Sequence, residues 1–386
     1  MPKTMTDKPV RFQFVEKESD LEAIARKLEA EEIIAADMEA DSMFSFREKI
    51  CLLQIASRRR IVVIDTVKTR HLSVLTPVFT NPGIQKIFHG ADFDIRSLYR
   101  DFGIEVNGLF DTELASRFLG FNETGLDAVL KNKFGIEMDK RFRKKDWSRR
   151  PLPPEMIEYA ANDVAYLLPL AAALKRELKT AGRLSWVHEE CEALSKVRTV
   201  PPSGKEPLFI KFRGAGRLDP NTLAVLEALL QFRIAMAEKK DVPPFKIMSN
   251  SAMIKLAKVK PGSLSKIKSS NILSKKQIDM YGRKVAETVN RAARLPESEL
   301  PRYPRRRAPV LPSSVHKRIK ALKEWRSDVA ARLALDPGLF LNKTMLTAIA
   351  SQRPGDMDEL ENISGLKKWQ RRQFGEELIK VLRTIP

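Results

Sequence analysis

Cysteine is nearly absent from this chain of 386 residues: Cys51 and Cys191 are the two. Two such residues make neither a disulfide framework nor a zinc-ligand spacing, which excludes a stapled secreted fold and a zinc finger. Cys51 lies in an apolar run, ICLLQIAS, and reads as core. Long apolar runs are lacking as well. The longest, VAYLLPLAAAL over 164–174, is too short to span a bilayer and contains Pro169. The opening MPKTMTDKPVRFQF has no apolar stretch of the kind a secretory signal needs. A soluble, cytoplasmic protein with no membrane partner is expected.

Acidic residues are scarce in one half only. Residues 1–200 carry 32 Lys and Arg against 31 Asp and Glu, whereas residues 201–386 carry 37 against 18. Nearly all of the formal net charge of +20 therefore sits in the second half. Such asymmetry points to a polyanionic partner, most readily a nucleic acid, although membrane surfaces and solubility also favour basic domains. At 43% hydrophobic the composition is that of an ordinary globular protein long enough for two or three domains.

The first half alternates strands and helices. An edge strand is expected at 10–16, a helix capped by Ser19 or Asp20 and running to Leu28, and a buried strand at 33–39. ICLLQIAS (50–57) and RIVVIDT (60–66) read as a hairpin. Then follow a helix at 71–80, a strand at 84–90, a helix at 91–103 closed by Gly103, a short strand at 108–113 running into a helix, and a helix at 126–136. A long helical stretch begins near Pro153 and runs through Ala171 towards Gly182. This order predicts an α/β domain with a mixed sheet.

The chain is organised around IIAADMEA, 33–40. Strand side chains alternate, so Asp37 and Glu39 share a face and Met38 points to the other. Alone, the pair reads as the solvated end of a strand, or as two carboxylates that need a cation. FHGADFDIRSL places Asp94 where it can lean towards the sheet and Asp92 in an exposed first turn. In EYAANDVAYLL, Tyr159 and Asp163 are neighbours at i and i+4 on a core-like helix face, either a structural hydrogen bond or part of a site. Four converging carboxylates with no matching lysine or histidine cluster suit two hard divalent cations, Mg²⁺ or Mn²⁺, which stabilise both oxygens of a phosphodiester cleavage.

D-x-E, then HGADFD, then Y-A-A-N-D resemble the three motifs of the DEDDy 3′→5′ exonuclease superfamily, and residues 10–185 are similar to the ribonuclease D family. The resemblance implies a ribonuclease H-like (DnaQ-like) fold, Asp37, Glu39, Asp94 and Asp163 as metal ligands, and Tyr159 positioning the nucleophilic water. Met38 stands where bacterial ribonuclease D usually has Thr, with no loss of chemistry expected. Asp111, in FDTE, reads as structural, with a fifth acid of the site as the alternative. The loop KRFRKKDWSRR (140–150) surrounds Trp147 with seven cations; Trp147 is expected to pack inward, with Arg143, Lys144 and Lys145 among the cations that face RNA.

The second half is bounded by two Pro-rich linkers, 199–207 and 301–312, and repeats itself at an offset of 93 residues: Phe232-Arg233 matches Trp325-Arg326, Pro261-Gly262 matches Pro354-Gly355, and Tyr281-Gly282 matches Phe374-Gly375. The copies are similar to HRDC domains. Three domains are expected: an exonuclease domain at 1–200 and two small helical modules at 213–298 and 313–386. The first module is the more basic, and Lys255, Lys258, Lys260, Lys266 and Lys268 are its candidate phosphate contacts. The resemblance implies an exoribonuclease that trims structured RNA 3′ ends such as tRNA precursors and releases nucleoside 5′-monophosphates. A 3′→5′ exodeoxyribonuclease or a non-catalytic RNA-binding protein on the same fold are the alternatives. A monomer without an obligate protein partner is expected.

Overall fold

The computed structural model describes residues 10–69, 71–199, 206–304 and 311–385. The sequence opening, most of the first Pro-rich linker and half of the second lie outside the described residues. The chain divides into two units: residues 1–40, 50–199 and 310–386 form one, residues 41–49 and 200–309 the other.

The first unit is built on a six-stranded sheet. In chain order come β1 (Gln13–Val15), α1 (Glu18–Leu28), β2 (Ile33–Ala40), β3 (Ile50–Ala56), β4 (Ile61–Asp65), α2 (Thr76–Thr80), β5 (Gln85–Phe88), α3 (Asp92–Phe102), β6 (Leu109–Asp111), α4 (Thr112–Phe118), α5 (Leu126–Phe134), α6 (Pro154–Ala165), α7 (Leu167–Thr180) and α8 (Leu184–Ser195). The sheet order is β1-β4-β3-β2-β5-β6. β2, β3 and β4 form an antiparallel meander, while β1, β5 and β6 pair in parallel with their neighbours. β2 thus lies inside the sheet, with every residue of β3 beside it buried. That setting explains the continuous apolar runs of both strands.

Local chemistry fixes several boundaries. Gly103 and Gly135 end α3 and α5 at φ of +67°, a conformation glycine adopts without strain. The helix α1 begins one residue ahead of Ser19, and Lys17 precedes it without a side-chain cap, so neither Ser19 nor Asp20 is the cap. Residues 72–75 wind as a 3-10 turn ahead of the short α2, where one helix is expected. The long helix expected from Pro153 is two, broken at Tyr166. Pro169 is the cause: its ring would strike the carbonyl of residue 165 and it has no N–H to donate, so it fits only in the first turn of a new helix.

The same unit includes the second helical module, α14 (Ser313–Leu333), α15 (Pro337–Phe340), α16 (Lys343–Gln352), α17 (Met357–Glu361) and α18 (Lys368–Arg383), taking the elements at 220–293 as α9 to α13. Its α18 packs on α8, where the Trp369 ring stacks on Trp186 at 4.8 Å and 18°. The other unit holds α9 (Pro220–Lys239), α10 (Pro244–Ile247), α11 (Asn250–Val259), α12 (Leu264–Ser269) and α13 (Lys275–Ala293) around Leu226, Leu229, Met253, Leu256 and Val285. Residues 41–49 belong to it: the Phe46 amide donates to Asp241 at 3.1 Å, and the Lys246 ammonium lies 4.4 Å from the centre of the Phe44 ring.

Candidate active site

The register of β2 places its carboxylates. Asp37 lies opposite Gln54 and Glu39 opposite Leu52, so both project from one sheet face, and the pairing shifts just after Glu39. Met38 lies opposite Leu53; both are buried in the core on the other face, and Met38 also reaches the cavity wall described below. The helix α6 packs over β2, β3 and β4. It contributes Tyr159 and Asp163, both at least nine-tenths buried. Ala160 and Ala161, fully buried, keep that approach close.

Asp94 arrives from the end of β5. The turn that carries it is held by Asp111, whose carboxylate accepts from the amides of Gly90 at 3.0 Å and Ala91 at 2.8 Å. The same carboxylate caps α4 through the amides of Glu113 and Leu114. Asp111 is therefore fully occupied by backbone donors and structural. Gly90 has φ of +73°, and a Cβ there would meet the Glu113 carboxylate at 2.8 Å. Asp94 itself is 7% exposed, whereas Asp92 is exposed and paired with Arg96 at 2.9 Å.

Asp37, Glu39, Tyr159 and Asp163 line one cavity of about 460 Å³, together with His89, Asp127, Lys140 and Arg143. Asp94 stands behind that wall rather than on it, close enough for its charge to be felt by Glu39 and to feel that of Asp37. Burial pushes the Asp37 carboxyl up to about 6. Burial, then the charges of Asp37, Asp163 and Asp94, hold Glu39 well above the usual carboxylate range. Burial and then Asp37 do the same to Asp94 and Asp163. The Tyr159 phenol is pushed up by burial, then by Asp163 and Glu39. Arg143 opposes these effects on Glu39, Tyr159 and Asp163 and is the cation that faces the acids. Among the described residues no three Asp, Glu, His or Cys side chains close into a ready-made metal cage. Asp37, Glu39 and Asp163 face one cavity, with Asp94 behind them, as like charges standing apart.

The basic loop divides in two. Arg150 grips Asp65 through two hydrogen bonds of 2.6 and 2.7 Å, Lys140 pairs with Asp127, Arg141 with Asp139 and Arg149 with Asp146. Arg143, Lys144 and Lys145 are exposed and form no ion pair among the described residues. Trp147 is 1% exposed and lies 6.1 Å from the Tyr159 ring, with Phe142 edge-on at 5.7 Å; it packs the phenol and is closed to base stacking. Lys255, Lys258, Lys266 and Lys268 are exposed on α11 and α12, and Lys260 is half-buried just past α11.

Two residues near the acids escape a reading of the sequence. His89 lines the cavity, its Nδ1 2.9 Å from the Thr112 hydroxyl, which donates in turn to the Phe88 carbonyl, and burial lowers its pKa. Its position two residues before Ala91 in HGADFD is the available signal. Gln54 faces Asp37 across the ladder, which only the strand register reveals.

Residues 12–179 match the family model for a 3′-5′ exonuclease, and residues 222–289 and 315–382 each match that for an HRDC domain. The chain is 29% identical to Ribonuclease D of Acidiphilium cryptum over 95% of its own length and 92% of that protein's. It is 32% identical to Protein RRP6-like 2 of Arabidopsis thaliana over 67% of its own length, and spans about a third of that longer relative (31%). The crystal structure of Escherichia coli RNase D, described as an exoribonuclease involved in structured RNA processing, superposes with a TM-score of 0.71 at 25% identity, over 98% of this chain and 100% of that one. The mixed-sheet α/β domain, the helical region that follows it and these matches agree: the chain belongs to the ribonuclease D-like 3′-5′ exonucleases that carry HRDC domains.

Proposed function

We propose that this exonuclease is a cytoplasmic, monomeric exoribonuclease that trims RNA 3′ ends, tRNA precursors among them, with two divalent cations. The observation that carries this reading is the single cavity onto which Asp37, Glu39 and Asp163 open, with Asp94 behind. Three of these acids are pushed up by one another's charge as well as by burial, and Asp37 by burial. An all-oxygen donor set of this kind fits Mg²⁺ or Mn²⁺ and is costly without a cation. Asp37, Glu39, Asp94 and Asp163 would hold the ions, which supply a hydroxide-like nucleophile and stabilise the leaving oxygen.

The chain's own groups do the rest. Tyr159 keeps its proton, because burial and the neighbouring acids Asp163, Glu39 and Asp37 oppose its loss, so it orients the attacking water as a hydrogen-bonding phenol. That water oxygen bonds to phosphorus, the bond to the 3′ oxygen of the penultimate nucleotide breaks, and a nucleoside 5′-monophosphate leaves. Arg143, Lys144 and Lys145 provide unpaired positive charge for the incoming backbone. Lys255, Lys258, Lys260, Lys266 and Lys268 offer a second basic surface on the first helical module.

The test is 3′-end trimming of matched RNA and DNA strands with Mg²⁺ or Mn²⁺, beside Asp163→Ala. RNA shortened one 5′-monophosphate at a time, and loss of that activity in the variant, is expected. An undiminished variant, or no trimming of either strand, overturns the catalytic reading; preference for the DNA strand overturns the ribonuclease part alone.

A further inference from the structure

Gln54 is the most anomalous side chain in the α/β domain. It is fully buried in the middle of the sheet, yet neither its amide nitrogen nor its amide oxygen has a hydrogen-bond partner. A buried amide left unpaired weakens the fold, and native proteins rarely keep one without a use for it. Leucine or methionine would fill the same position without that penalty.

Its place in the ladder suggests the use. Gln54 lies directly opposite Asp37 on β2 and opposite Val63 on β4, so all three side chains share the face that α6 covers. Opposite residues of an antiparallel pair have Cβ atoms about 4.5–5.5 Å apart, which a glutamine side chain spans readily. Val63 has nothing to offer an amide. Asp37 has two oxygens, and the amide of Met38 is the hydrogen-bond donor they feel.

We propose that Gln54 is a positioning residue for Asp37: its amide N–H donates to the Asp37 carboxylate when the site holds its cations, and so fixes the orientation of that ligand. The proposal rests on the two-cation reading of the site. Donors of this kind, one layer behind a ligand, typically change metal affinity about tenfold to a hundredfold when removed. Gln54 is fully buried and does not line the cavity, so its effect runs through Asp37.

The experiment compares the wild-type protein, Gln54→Met and Asp163→Ala by calorimetric titration with Mn²⁺ in the absence of RNA, together with their melting temperatures in chelator. Gln54→Met is expected to melt no lower than the wild type and to bind Mn²⁺ about tenfold to a hundredfold more weakly. Unchanged Mn²⁺ affinity in Gln54→Met, with the wild type binding and Asp163→Ala impaired, overturns the role of Gln54 and leaves the site reading standing. A wild type that binds no Mn²⁺ overturns the site reading and this proposal with it. A crystal structure of the wild type grown with Mn²⁺ is the second arm and does not depend on a variant folding. An amide nitrogen of Gln54 within hydrogen-bond distance of an Asp37 oxygen supports the proposal, and a separation beyond that distance overturns it.

Discussion

The two helical modules are one design put to two uses. Corresponding bonds recur at the offset of 93 residues. Arg233 donates to the Met248 carbonyl and Arg326 to that of Leu341. Gln277 accepts from the Ser274 amide and donates to the Ile247 carbonyl, as Gln370 does with Lys367 and Phe340. Lys260 and Arg353 both take the left-handed conformation that ends their helices, at φ of 51° and 50°. The surfaces differ. Where the second module begins α18 with Lys368-Trp369, the first begins α13 with Lys275-Lys276, both exposed. Lys255, Lys258, Lys260, Lys266 and Lys268 of the first module correspond to Ala348, Ser351, Arg353, Glu359 and Glu361 of the second. Over 213–298 there are 17 basic against 7 acidic residues, and over 313–386 there are 14 against 9. A conserved scaffold of backbone-directed bonds thus leaves the outer residues free to diverge, one copy towards packing and the other towards charge.

The docked copy offers the largest test. Trp369 is 3% exposed, stacked on Trp186 and edge-on to Phe118 at 5.6 Å. Trp369→Ala is expected to destabilise the first unit by about 3–5 kcal/mol. Lys276→Ala, at the matching place of the first module, should stay within about 0.5 kcal/mol. Urea titration followed by circular dichroism reads both, and equal losses would break the contrast. Next in size is Glu189, whose carboxylate accepts from the amides of Lys368 at 2.7 Å and Trp369 at 2.9 Å. Glu189→Ala strands both donors at the start of α18 and should cost about 1–3 kcal/mol in the same titration. The first module needs no such outside acceptor, since the Ser274 hydroxyl caps α13 itself.

Acids offer a parallel contrast. Glu189 and Glu190 are matched to donors of the docked module, whereas the acids at the cavity act on one another as like charges. Asp163 is held well above the usual carboxylate range, chiefly by burial and then by Asp37. Its folded state keeps a proton that the unfolded chain gives up near pH 4, so its contribution to stability falls as pH rises from there. Asp163→Asn in chelator should therefore raise the melting temperature, more at pH 7.5 than at pH 5, and saturating Mg²⁺ should narrow the gap by stabilising the wild type. A gain that is larger at pH 5 would contradict the repulsion described for the site.

The sequence makes plain what rests on short spacings. Asp37 and Glu39 at i and i+2 of a strand, and Tyr159 and Asp163 at i and i+4 of a helix, fix each pair's common face before any fold is known. The repeat shows itself the same way, because its aromatic-Arg, Pro-Gly and aromatic-Gly pairs recur at constant offset. What escaped depends on partners far along the chain. Gln54 reads as one polar residue in an apolar run until the register sets it against Asp37. Trp186 and Glu189 look like ordinary helix residues until α18 meets them, 180 residues later in the case of Trp369 and Glu189. The break at Tyr166 is different in kind: Pro169 marks it in the sequence, but the hydrophobic periodicity runs on unbroken across it.

The smallest effect expected is also the most specific to the comparison. Deleting whole modules is a poor probe of charge, because removing 313–386 would uncover Trp186 and the core that α14 and α18 share with the α/β domain. Exchanging single residues between the copies avoids that damage. Lys258→Ser gives the first module the residue that the second carries at Ser351, on an exposed position of α11. If Lys258 meets a phosphate, the slope of log affinity against log salt for single-stranded RNA should become shallower by about 0.7. The reciprocal Ser351→Lys adds the same charge to the second module and should leave the slope unchanged if RNA tracks only the first. Because both exchanges alter net charge by one unit, a general attraction of RNA to a basic protein would move the two slopes by equal amounts in opposite directions. A shallower slope in Lys258→Ser with no change in Ser351→Lys therefore separates a phosphate-binding surface on the first module from diffuse charge spread over both.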